Sequence, residues 1–68
     1  MIEQETLSGL TVKLARVARR VRQYELAAAL GISPQRLSLI ENGRLDVRQT
    51  YLEHILEVLD RLQVGQHK

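Results

Sequence analysis

Apolar residues recur early in this chain at spacings of three and four: Leu7, Leu10, Leu14, Val17 and Val21. That period marks a helix with one apolar stripe. It predicts a first helix from about Leu7 or Ser8 to Arg20, widened by Val12, Ala15 and Ala18 and weakened in its first turn by Gly9. A second helix is expected over 23–30, with Leu26, Ala27 and Leu30 inward and Gly31 placed where a left-handed residue ends a helix. Ile32 plugs the turn. Ser33 then caps a third helix whose first position is Pro34, where a missing N–H costs nothing. Leu37 and Ile40 form its inner face, and Asn42-Gly43 stops it. After a loop over 44–49, Thr50 with Glu53 three residues later makes a capping-box pattern for a fourth helix. Its stripe is Leu52, Ile55, Leu56, Leu59 and Leu62, with Tyr51 and Val58 beside it and Gly65 at its end.

This pattern, rich in Ala and Leu and free of Phe and Trp, predicts an all-α fold. Sixty-eight residues allow one domain, near the lower end of what folds unaided, with loose ends expected at 1–6 and 64–68. There is no cysteine, which excludes disulfides and thiolate metal sites and fits a reducing cytoplasm. His54 and His67 are too few and too far apart for a metal site, and no cofactor is expected. No apolar run reaches the roughly 18 residues of a membrane span. The acidic start lacks the basic opening of a signal peptide.

Charge changes the picture through its distribution. Residues 13–48 hold eight basic side chains against three acidic ones, a net +5, while the flanking segments are net acidic. A basic middle between acidic ends suggests a face for a polyanion, or else an ordinary solvated surface. Catalysis is not expected, because no nucleophile–base pair and no phosphate loop is visible. His54 between Glu53 and Glu57 has the look of an exposed charged face. A membrane-surface role for helix 1 is not expected either, on the reasoning that its apolar face is needed for the core.

The stretch 23–43, QYELAAALGISPQRLSLIENG, concentrates the informative features. Two helices crossing steeply must approach closely near their turn. Ala27 is small at the packing point, and Gly31 lets the backbone reverse. Gln23…Leu26-Ala27, Gly31-Ile32-Ser33 and Leu37-Ser38-Leu39-Ile40-Glu41-Asn42-Gly43 together resemble the Cro/repressor (XRE-type) helix-turn-helix family, over about Leu10 to Leu59. The resemblance implies a four- to five-helix, lambda-repressor-like DNA-binding domain with its helix-turn-helix at 23–42.

It also implies roles for particular residues. Pro34, Gln35, Arg36 and Leu39 occupy the base-reading positions, although Pro34 serves equally well as a helix starter alone. A glutamine amide can grip adenine at two points, an arginine can do so with guanine, and Leu39 offers apolar contact to a thymine methyl. Gln23, Asn42 and Arg44 fall where the family holds phosphate, with Ser38 and Tyr24 as assistants. Arg19, Arg20 and Arg22 either neutralise phosphates or keep the surface solvated. Arg16 and Glu41 match a family ion pair between helices 1 and 3.

Departures from the family pattern are Arg22 in place of a Ser or Thr cap, Arg20 in place of a glycine, and no proline near Val47. The chain also ends where many relatives continue into a fifth helix. Such regulators bind double-stranded DNA as homodimers, and here Leu52, Leu56, Leu59, Leu62 and Val64 are either the pairing face or monomer core. The implied function is a transcriptional regulator, a repressor by preference. The alternatives are an antitoxin or restriction-control regulator with a protein partner such as a toxin, or an interaction module that has lost DNA binding.

Overall fold

The structure, a computed structural model, describes residues 7–66, and side chains through Leu62. Of the ends expected to be loose at 1–6 and 64–68, residues 1–6 and 67–68 lie outside the described residues, as does the side chain of Val64, while 64–66 belong to a helix. Four helices follow one another: α1 (Gly9–Ala18), α2 (Gln23–Leu30), α3 (Pro34–Glu41) and α4 (Gln49–Gln66). No strand occurs among the described residues. Helices α1 and α2 each pack on both α3 and α4.

Local chemistry explains most boundaries. Ser8 Oγ accepts from the Thr11 N–H at 3.3 Å, which starts α1 at Gly9. Ser33 Oγ accepts from the Arg36 N–H at 3.1 Å, and Pro34 takes the first position of α3. The first three helices end in one motif, in which a residue of positive φ turns the chain back and two amides return to carbonyls of the last turn. These residues are Arg20 (φ 60°), Gly31 (φ 75°) and Gly43 (φ 76°). At the first, Arg20 N–H donates to Val17 O and Val21 N–H to Arg16 O; at the last, Gly43 N–H donates to Ile40 O and Arg44 N–H to Leu39 O.

The fourth helix departs from expectation at both ends. It opens at Gln49 rather than Thr50, because Tyr51 and Leu52 both donate to Arg48 O and so make Arg48 the capping residue. Thr50 is an exposed residue of the first turn. The Gln49 side chain accepts from Leu7 N–H at 2.9 Å and donates to Leu7 O at 2.7 Å, fastening the start of the described chain to the start of α4. Gly65 does not stop the helix, which continues to Gln66.

The core holds Val12, Val21, Leu26, Ala27, Leu37, Ile40, Leu52, Ile55, Val58 and Leu59. Leu52 and Leu59 are thus interior residues and not free for a pairing face, because α4 covers α1 and α2 with them. Leu56 and Leu62 are half-buried against the same core.

The largest correction concerns α1. Leu10, Leu14 and Val17 are 56%, 59% and 55% exposed. The face turned inward is Val12, Ala15, Arg16 and Arg19, which has the same helical spacing as the apolar stripe but two arginines in it. Arg16 can face inward because it meets the buried carboxylate of Glu41, while Arg19, half-buried, pairs with the exposed Asp60 of α4. Leu10, Leu14 and Val17 therefore stand outside the core, while the ends of the stripe, Leu7 and Val21, still pack in it. Gly9 shows how closely α1 approaches α3: a Cβ there would stand 1.8 Å from Ile40 O and 2.8 Å from its carbonyl carbon. Rather than merely weakening a turn, Gly9 is the contact point between two backbones.

Candidate nucleic-acid interface

The site grows outward from one buried carboxylate. Glu41, 3% exposed, is the buried charged residue of the described chain. A carboxylate in such a place needs every lone pair engaged. Arg16 Nε donates to Glu41 Oε2 at 2.8 Å and Arg16 Nη2 to Oε1 at 3.2 Å, the two-point geometry that makes guanidinium–carboxylate pairs strong and directional. The remaining guanidinium nitrogen, Nη1, donates to Val21 O at 3.0 Å in the α1–α2 turn. One side chain of α1 thus holds both the turn before α2 and the end of α3.

Glu41 has a third donor. Gln23 Nε2, from the first turn of α2, reaches Oε1 at 3.1 Å. Gln23 is half-buried and borders a shallow groove with Pro34, Gln35, Ser38 and Leu39. The residue assigned to phosphate is therefore oriented by the same carboxylate that braces the fold. Asn42 Nδ2 donates to Ser38 Oγ at 3.3 Å on the exposed side of α3, which brings the two together at its C-terminal end.

Around the groove, Pro34, Gln35 and Leu39 are exposed, and Leu39 is 43% so despite its apolar side chain. Gln35 and Leu39 lie one turn apart on α3, opposite Leu37 and Ile40, which are buried. Tyr24 is 56% exposed, and Arg22 Nη1 lies 3.4 Å from its hydroxyl. Arg20 and Arg44 are exposed. The missing Ser or Thr cap of α2 is partly replaced from within the helix, since Glu25 Oε1 accepts from the Arg22 N–H at 2.9 Å.

Two arginines do not join this group. Arg19 turns toward α4, with Nη2 3.0 Å from Asp60 Oδ1 and Nη1 donating to Ala15 O at 3.2 Å. Arg36 borders a different recess, with Ile32, Val47, Arg48, Thr50, Tyr51 and His54. The base-reading set thus divides: Pro34, Gln35 and Leu39 share a groove with Gln23, while Arg36 stands on the flank beside Arg48 and His54. Sequence reasoning assigns Arg48 and Gln49 no role. Both act through the place where α4 begins, one residue before the expected cap, and only a correct boundary exposes them.

The arrangement offers an exposed polar helix face, two amides near its ends and flanking cations. Donors and cations of this kind suit a groove edge and its phosphates. No helix among the described residues is long and apolar enough to cross a membrane. A family model described as helix-turn-helix matches residues 12–63, most of the chain. Nothing matches among curated proteins, and nothing among solved structures.

Proposed function

Because the chain belongs to the Cro/repressor (XRE-type) helix-turn-helix family of DNA-binding transcription regulators, we propose that it acts as a repressor, binding a near-palindromic operator as a homodimer in the cytoplasm. In this reading α3 enters the major groove. Gln35 hydrogen-bonds a base edge, Leu39 packs on a thymine methyl, and Arg36 reaches a guanine or the adjoining backbone from the flank. Gln23, Tyr24, Ser38, Asn42, Arg20, Arg22 and Arg44 position the domain on phosphate. One recognition helix covers few base pairs, so two copies with α3 helices roughly 34 Å apart supply the specificity. Occupation of the operator then excludes RNA polymerase, and no chemistry is required.

The observation that carries this reading is the exposed groove shared by Gln23, Pro34, Gln35, Ser38 and Leu39. Gln23 of α2, which this reading assigns to phosphate, lines the groove together with side chains of α3. Selection from a pool of random duplexes tests it. The expected product is a two-fold symmetric site, with affinity falling by orders of magnitude between low and moderate salt as counterions are released. Absence of any enriched sequence, with weak binding even at low salt, would refute it. Gln35→Ala should relax preference at one base pair of each half-site by about 1–3 kcal/mol without moving the melting temperature.

A further inference from the structure

Five large hydrophobic side chains are exposed among the described residues: Leu10, Leu14, Val17, Tyr24 and Leu39. Tyr24 and Leu39 belong to the face already assigned to DNA. The other three lie on α1 and follow the four-then-three spacing of a helix–helix seam. A contiguous exposed apolar strip rimmed by polar groups marks an interaction surface.

Charge selects the occupant. Residues 9–20 carry Lys13, Arg16, Arg19 and Arg20 and no acid. Arg16 turns inward to Glu41 and Arg19 pairs with Asp60 of α4, so Lys13 is the base left on the outward side of α1. At about 100° per residue Lys13 borders the seam on one edge, with Thr11 and Ala18 on the other. Residues flanking a helical seam set partner choice through their charges. Pairing α1 with the same helix of a second copy would bring Lys13 toward its own kind, with no acid within residues 9–20 to offset it. A helix with an apolar stripe and Asp or Glu along its edges meets the same surface with opposite charges.

We propose that α1 of this protein docks an amphipathic, acidic-edged helix of a partner protein, seated on Leu10, Leu14 and Val17 and oriented by Lys13. The surface lies on a different helix from the groove of α2 and α3, so it adds to the DNA-binding reading without depending on it.

The test uses two synthetic helical peptides of about three heptads, long enough to hold a helix in water, with the same leucine seam. One carries Glu and the other Lys along both edges. Each is titrated into the full chain, with binding followed by backbone amide chemical shifts. The Glu-edged peptide should bind at least about tenfold tighter, shift the amides of α1 first, and weaken with salt. Leu14→Glu should abolish that binding while operator affinity is retained, because Leu14 is exposed and outside the DNA groove. Lys13→Glu should narrow or reverse the preference between the peptides. Equal affinity for the two peptides, or binding to neither, would overturn the proposal. So would self-association of the chain that Leu14→Glu removes, which assigns the seam to a second copy. Partition onto anionic vesicles that Leu14→Glu removes would likewise assign it to a lipid surface.

Discussion

Helices α1 and α3 are fastened together on their buried sides by the Arg16–Glu41 pair, yet they turn opposite kinds of surface to solvent. Outward α3 carries Gln35 and Arg36 beside Pro34 and one exposed large hydrophobic residue, Leu39. Outward α1 is an apolar strip, Leu10, Leu14 and Val17. Inward the contrast reverses. Helix α3 buries Leu37 and Ile40 beside its glutamate, while α1 turns in Val12 and Ala15 beside two arginines. Apolar character and burial coincide for Leu37 and Ile40 of α3, and part company for Leu10, Leu14 and Val17 of α1. Burial follows from which groups find partners inside, and a paired arginine there can displace a leucine to the outside.

The strongest way to break this comparison is to remove its common link. Glu41→Ala leaves Arg16 without its carboxylate and Gln23 without its acceptor, and should cost about 3–5 kcal/mol, read as a fall in the denaturant midpoint. An unchanged midpoint would mean that the pair does not brace the two helices. Next is their backbone contact. Gly9→Ala places a methyl against Ile40 O and the end of α3, and neither main chain can yield as a flexible side chain would. A loss of about 1–3 kcal/mol is expected, although alanine is the better helix former at an ordinary site.

Smaller effects sharpen the contrast at the helix ends and on the surface. Both helices close with a residue of positive φ, but α3 uses Gly43 and α1 uses Arg20. Arg20→Gly should raise stability by about 0.5–1 kcal/mol, because relief at the left-handed position outweighs the added freedom of the unfolded chain. If the same variant weakens operator binding, Arg20 contributes a phosphate contact. Smallest of all, Leu14→Ser should change the unfolding free energy by no more than about 0.5 kcal/mol, as for an ordinary surface site. A loss of several kcal/mol would return Leu14 to the core.

These same residues show how far the fold is legible in the order of amino acids alone. The α2–α3 unit is legible to the residue because its signals are local: Ser33 and Pro34 start a helix, and Gly31 and Gly43 end helices by backbone rules that need no distant partner. The inward face of α1 is not legible from its spacing. Two faces of that helix carry the same period, and the one chosen by the structure contains Arg16 and Arg19, whose carboxylates lie 25 and 41 residues further along. Gln49 gripping Leu7 across 42 residues has no sequence signature at all. At the candidate site, Gln35 and Leu39 fall on the expected outward face, since helical geometry alone puts them opposite Leu37 and Ile40. Arg36 shares a recess with Arg48, Thr50 and His54 at the start of α4, a boundary that the capping-box pattern at Thr50 misplaces.

The triple contact at Glu41 sets the rules for retargeting this domain to a new DNA sequence. Of the eight residues of α3, three are committed to the interior: Leu37 and Ile40 by packing, and Glu41 by Arg16 and Gln23. A combinatorial library should hold those three constant, together with Gly9 and Gln23. It is free to vary Gln35, Arg36 and Leu39, exposed positions to which no packing role falls. Variants drawn from such a library would differ in what they bind while melting alike.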